Sequence, residues 1–229
     1  MALFALGDLH LSLSCNKPMD IFGGRWLDHV SQIEKNWLAC VNAEDTVVLC
    51  GDTSWGMDLN EALEDFRFLQ NLPGRKIILK GNHDYWWNTL TKLNAFTAEH
   101  GLTSLHFLHN NTYTYKDYSI CGTRGWLFEE AAKEADFKII AREALRLNAS
   151  LSAAPAENQK LVFLHYPPAF ANSKAIEIIK VMKEHGVTVC CYGHLHGVSS
   201  SLLQHNADGI SFHLVAGDHI AFDPLKLAE

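Results

Sequence analysis

The sequence predicts an α/β fold, and two observations carry that prediction. Short apolar runs rich in β-branched residues alternate along the chain with longer segments of helical periodicity, the pattern of strands joined through helices. Several of those apolar runs then end abruptly in Gly-Asp, Gly-Asn-His or His. In open α/β sheets the carboxyl ends of the strands line the binding crevice.

The elements follow in order. Strands are predicted at 2–6, 46–50, 76–79, 118–121, 161–164, 187–192 and 212–216. Each is a short apolar run of the length buried strands have. Helices are predicted at 26–41, 59–72, 131–151 and 173–185. The first repeats apolar residues at Trp26, Val30, Ile33, Trp37, Leu38 and Val41, which places most of them on one helical face. From about Ser104 onward the strands come closer together, which suggests some antiparallel pairing in that half. The stretch NASLSAAPAEN at 148–158 reads as an exposed loop, by its small residues and proline. With 229 residues and no linker or repeat, one domain over 1–229 is expected, large enough to need no staples.

Composition narrows the function classes. A formal net charge of -7 argues against an extended nucleic-acid partner, which wants a basic face. The chain is 48% hydrophobic and 20% charged, as ordinary soluble proteins are. Six cysteines, none spaced C-x-x-C, read as small buried hydrophobes in a reducing compartment. No run approaches the ~20 apolar residues of a membrane span. The opening MALFALGDLH lacks the basic flank of a signal peptide. A cytoplasmic location without a membrane partner is therefore expected.

The chemistry collects where strands end. After ALFAL comes Gly7-Asp8-Leu9-His10, and after TVVLC comes Gly51-Asp52. After KIILK comes Gly81-Asn82-His83-Asp84. After LVFL comes His165, and after TVCCY comes Gly193-His194-Leu195-His196. Extended backbone would turn Asp8 and His10 to one side and Leu9 to the other, and likewise His194 and His196 around Leu195. Taken singly each piece has a plain structural reading. Gly-Asp is a common turn, and Asp84 is a candidate N-cap for a helix opening at Tyr85. The shared order, spacing and strand context favour one site with several ligands.

In this order, D-x-H, GD, GNHD, an isolated His and GHxH resemble the calcineurin-like metallophosphoesterases. The resemblance runs from Asp8 to His196. It implies a sandwich of two β-sheets flanked by helices and a dinuclear metal centre. One metal would be held by Asp8, His10, Asp52 and His196. The other would be held by Asp52, Asn82, His165 and His194, with Asp52 bridging. His83 would face the substrate phosphate as general acid or transition-state stabiliser.

Such a centre makes chemical sense. Two metals ~3.5–4 Å apart clamp the attacking and leaving oxygens of an in-line displacement and yield hydroxide near neutral pH. Mixed N and O ligands without thiolate suit two divalent ions of Mn, Fe, Co, Ni or Zn. The expected activity is hydrolysis of a small phosphodiester or phosphomonoester. The alternatives are a non-catalytic scaffold that keeps the fold, and a nuclease.

The sequence departs from the protein serine/threonine phosphatase branch at GDTSWGMD, where Trp55 and Gly56 stand in place of an aspartate and an arginine. The usual carboxylate partner of the GNHD histidine is thereby lost, and Asp84 and Asp58 are the candidates for its place. Substrate contacts are sought in Lys17, Phe22 and Arg25, in Trp86 and Trp87, and in Arg124, whose fork matches phosphate oxygens. Among the histidines outside the motifs, His219 draws notice because Gly217-Asp218 again follows an apolar strand.

Overall fold

The structure is a computed structural model that describes residues 1–127 and 134–229. In chain order the strands are β1 Leu3–Leu6, β2 Thr46–Leu49, β3 Arg75–Leu79, β4 Leu105–Leu108, β5 Thr112–Tyr115, β6 Tyr118–Thr123, β7 Gln159–Leu164, β8 Ala169–Phe170, β9 Ser173–Lys174, β10 Val189–Tyr192, β11 Asn206–Ala207, β12 Ile210–Leu214 and β13 Leu225–Ala228. The α-helices are α1 His29–Cys40, α2 Leu63–Asn71, α3 Leu90–Glu99, α4 Glu134–Ser152 and α5 Ile176–Glu184. Two large sheets form, ordered β13-β1-β2-β3-β4 and β11-β12-β10-β7-β6-β5.

Side-chain alternation along the strands builds the layers. Leu3, Ala5, Val48, Ile77 and Leu79 face Ile120, Leu161, Phe163 and Cys191 in a core between the sheets. Their neighbours Phe4, Leu6, Val47, Leu49 and Ile78 point the other way, onto Ile33 and Trp37 of α1 and Phe66 and Leu69 of α2. On the far side Val162, Leu164, Cys190 and Phe212 meet Leu147 and Leu151 of α4 and Ile178 and Met182 of α5. Successive strand residues point to opposite faces, so strands apolar throughout require covers on both. The result is helix, sheet, sheet, helix, as the sequence resemblance implies.

Several elements differ from the sequence reading. The later half has the antiparallel pairing expected of it at β5–β6, β8–β9 and β11–β12, but β6, β7, β10 and β12 pair parallel with one another, and β13 pairs antiparallel with β1. The segment read as a loop from 148 is helical through Ser152. Leu147 and Leu151 are buried, and Ser150 Oγ accepts the Gly122 N–H (3.0 Å) and donates to the Asn111 carbonyl (2.5 Å). The predicted start of that helix at 131 lies outside the described residues. Trp26 sits in a short 3-10 turn, Gly24–Trp26, ahead of α1. Ser173 and Lys174 pair with β8 before α5 begins. Helix α3 begins at Leu90, later than the opening at Tyr85 read from the sequence, and β4, β5 and β13 went unread.

The parallel pairing of β1, β2 and β3, and of β7 with β10, sets their carboxyl ends side by side. The sheets meet at that edge: Gly7 N–H donates to the Val215 carbonyl (2.7 Å), and His165 Nδ1 reaches the Cys50 carbonyl (3.0 Å).

Candidate metal centre

The chain bends sharply where each strand ends. Asp8 (φ 56°), His10 (φ 45°), Asp52 (φ 50°) and His194 (φ 72°) all hold left-handed backbone. That conformation is uncommon outside glycine and gathers at functional sites. The extended geometry read from the sequence is therefore incorrect for these residues, although the sides are as expected: Leu9 is buried in the outer core and Leu195 packs beside its counterpart. Glycine is required next to them. A Cβ on Gly51 (φ 87°) would stand 2.7 Å from His165 Nδ1 and 2.8 Å from the Gly81 Cα. A Cβ on Gly193 would strike the Asp8 carboxylate.

These bends bring the side chains together. Asp8, His10 and His196 form one group with ligand atoms within 4.8 Å of one another, and Asp8, Asp52 and His165 form a second. Asp52 Oδ2 lies 3.7 Å from His10 Nε2 and 3.5 Å from His165 Nε2, so it reaches toward both. Asp8 Oδ1 lies 3.4 Å from His196 Nε2 and 4.0 Å from His165 Nδ1. Asn82 Oδ1 lies 2.6 Å from His165 Nε2 and 3.0 Å from His194 Nδ1.

The donor set fits divalent cations. The Cys50 carbonyl can only accept, which places the His165 proton on Nδ1 and leaves Nε2 as a lone pair aimed at Asn82 Oδ1 and Asp52 Oδ2. Asp218 Oδ1 takes the Nδ1 proton of His196 (2.7 Å), which turns its Nε2 toward Asp8 and His10. Burial, foremost, pushes His165 and His194 down to about 3, so both imidazoles stay neutral ligands. Burial also lowers His196, but hydrogen bonds to Asp218 and Asp8 and their charges outweigh it and raise it to about 10. Burial, then Asp84 and Asp8, push Asp52 well above the carboxylate range. A cation between them would relieve the His165 lone pair facing the Asn82 and Asp52 oxygens and the carboxylates crowded beside a protonated His196, and would displace the His196 Nε2 proton.

The GNHD segment divides its labour. Asp84 is fully buried and accepts the backbone N–H of Gly81 (2.7 Å), Asp52 (2.9 Å), Thr53 (2.9 Å) and Ser54 (3.3 Å), with Trp86 Nε1 at 3.0 Å. Burial raises it to about 6 against those donors. It caps no helix at Tyr85; α3 begins after its own cap, Thr89. Its oxygens are thus spent on pinning the loop after β3 to the loop after β2. The backbone N–H of His83 donates to Asp52 Oδ1 (2.8 Å), and its Nδ1 faces the Tyr85 hydroxyl (3.4 Å). Asp58 instead accepts the N–H groups of Asn60 and Glu61.

A groove of about 780 Å³ opens on this cluster. His10, His83 and His196 form its floor, and Met19, Phe22, Arg25, Trp26 and Trp55 are among its walls. Trp55 lies 4.5 Å from the His83 ring centre and 5.0 Å from that of His10. The Lys17 ammonium hangs over Trp55 at 5.6 Å. Trp86 is buried against Phe66, so it belongs to the core. Arg124 lies outside the groove, in a separate cleft.

Sequence reasoning missed Asp218 and singled out its neighbour. His219 borders the next pocket, while Asp218 orients His196. The readable signal was Gly-Asp after a sixth apolar strand, which parallel pairing of β12 with β10 brings beside His196.

Comparison with known proteins fits this geometry. A family model described as calcineurin-like phosphoesterase matches residues 1–198. No curated protein matches the chain. Among solved structures, a phosphopantetheinyl hydrolase from Mycobacterium tuberculosis is similar, with 13% identity and a TM-score of 0.59 over 99% of this chain and 95% of that one. A protein of unknown function from Aquifex aeolicus is similar at 16% identity and a TM-score of 0.55, over 98% of this chain and 95% of that one.

Proposed function

Because the chain belongs to the calcineurin-like phosphoesterase family, we propose that it hydrolyses a small phosphodiester or phosphomonoester at a centre of two divalent metal ions. The observation that carries this reading is the convergence of Asp8, His10, Asp52, Asn82, His165, His194 and His196 at one edge of two sheets. Asp8, His10, Asp52 and His196 would hold one ion, and Asp52, Asn82, His165 and His194 the other. Bound there, the ions would polarise the phosphoryl oxygens and activate the attacking water.

The chain's own residues do the rest. Asp218 and the Cys50 carbonyl fix the protons of His196 and His165 on Nδ1, so each offers Nε2 to the centre. Asp84 acts by position, holding the two loops that carry Asp52 and Asn82. His83 stands at the groove floor, tethered through its backbone to Asp52. There it passes a proton to the leaving oxygen; burial, foremost, holds its pKa below the ordinary value. Trp26, Trp55, Met19 and Phe22 favour an apolar body on the alcohol being released. A phosphopantetheinyl ester, the substrate type named for the mycobacterial neighbour, is one compound to try.

The test is His83→Ala, assayed with an alkyl phosphodiester, whose alkoxide leaving group needs the proton. The variant is expected to keep its metal and lose kcat by ~10²–10⁴, the usual worth of acid–base help. Loss of metal, or an unchanged rate, contradicts the role assigned to His83.

A further inference from the structure

Beside the metal centre lies a second concavity of about 200 Å³, between the ends of β3, β4 and β6 and the face of α4. Lys80, Arg124, Arg142 and Arg146 line it, with Glu143 as its single carboxylate. Glu143 is fully buried and already committed. It accepts from Thr123 Oγ1 (2.5 Å) and Arg146 (2.8 Å), with Arg142 at 3.6 Å. That leaves Lys80 and Arg124 without a carboxylate within ion-pair distance among the described residues. The Arg124 guanidinium lies over the rings of Trp126 (5.1 Å) and Tyr166 (5.9 Å), and its buried Nε has no hydrogen-bond partner. His109, on the same wall, is held below its ordinary pKa by burial and then by the Arg146 charge. Like charges gathered in a half-closed cleft repel one another and raise the local anion concentration.

We propose that this cleft is a second anion site, built for a single phosphate or equally compact oxyanion held by Lys80 and Arg124. An arginine fork and an ammonium together match the oxygens of a phosphate. The volume is below the ~300 Å³ at which pockets begin to take drug-sized ligands, so it suits one such group. Its position ties it to the metal centre. The Arg124 carbonyl accepts the N–H of His165 (3.0 Å) and of Tyr166 (2.9 Å), and Lys80 precedes Gly81-Asn82 directly. The cleft therefore lies at the neighbouring strand ends along the same edge, where β4 follows β3. A phosphate reaches it either as a second phosphate of the ester substrate or as free inorganic phosphate.

Calorimetric titration of inorganic phosphate into the Mn-loaded full chain tests the site, with wild type beside the Lys80→Gln/Arg124→Gln double variant. The expected result is one phosphate fewer per chain in the double variant. This holds if the wild type binds two, at the metal centre and the cleft, and equally if it binds one, which would fault the metal reading alone. The charge-keeping Arg124→Lys variant should retain the stoichiometry at weaker affinity, which excludes misfolding as the cause of the loss. Equal stoichiometry and affinity in wild type and double variant would overturn the proposal. The source of the anion is read from the p-nitrophenyl ester of thymidine 5′-phosphate, with and without a 3′-phosphate. If the cleft serves the substrate, the 3′-phosphate lowers KM roughly tenfold in wild type and not in the double variant. If it serves free phosphate, the ratio of the two KM values is the same in both proteins while calorimetry still records the lost phosphate.

Discussion

At the scale of single residues, which side chains would gather at one edge was legible and their backbone was not. Asp8, His10, Asp52, Asn82, His165, His194 and His196 announce themselves as polar residues ending apolar runs. The left-handed turns at Asp8, His10, Asp52 and His194 are invisible in sequence, because a non-glycine residue gives no sign that its neighbours will force it there. Asp218 was hidden for another reason: its partner His196 is brought to it only by the pairing of β12 with β10. Its hydrogen bond sets which nitrogen of His196 faces the centre, and outer partners of this kind typically tune metal affinity by ~10–100-fold. Asp218→Asn should therefore weaken metal binding by about that factor while leaving the fold intact, as read by competition with a chromogenic chelator. Unchanged affinity would show that Asp218 merely fills space.

At the scale of elements, strands buried on both faces read clearly, and edge strands did not. β2 is TVVL and β7 ends in LVFL, continuous apolar runs. β5 is TYTY and half exposed, and β13 is LKLA at the sheet margin, so neither carries the same signal. The start of α3 was misplaced to Tyr85, because the aromatic cluster before Leu90, whose Trp86 and Trp87 belong to the core, is not helical. One element carries a testable anomaly. Lys76 on β3 is fully buried, donates to the Leu72 carbonyl and to Ser104 Oγ (3.2 Å), and is pushed by burial from 10.5 to about 8. The unfolded chain thus holds this proton to higher pH than the folded one, so stability rises as pH climbs from about 8 to 10.5. The gain is on the order of 3 kcal/mol, at ~1.36 kcal/mol per pH unit. The urea midpoint of wild type should rise relative to that of Lys76→Met over that window, because the variant has no ammonium to discharge. A constant difference between them would contradict the assignment.

At the scale of the whole molecule, the α/β class followed from alternation alone, whereas the two-sheet sandwich followed only from the motif resemblance. Periodicity tells which residues are buried, but not which sheet a strand joins. The stacking of the sheets matters because neither completes the centre. Asp8, His10, Asp52 and Asn82 follow strands of the first sheet, and His165, His194 and His196 follow strands of the second. Ions bound between them would act as a clasp, since they would bind the folded chain in preference to the unfolded one. Metal at about 100 times its Kd should add ~2.7 kcal/mol of stability. Chelation should lower the thermal midpoint accordingly, measured by calorimetry with and without EDTA.

The most direct test of the central claim is a titration of Mn²⁺ into chelator-stripped protein, followed by the rate of bis(p-nitrophenyl) phosphate hydrolysis. The geometry predicts no turnover without metal, and a rate that rises until two equivalents per chain are bound. Turnover indifferent to metal, or saturating at one equivalent, would contradict a two-ion centre shared by the two sheets.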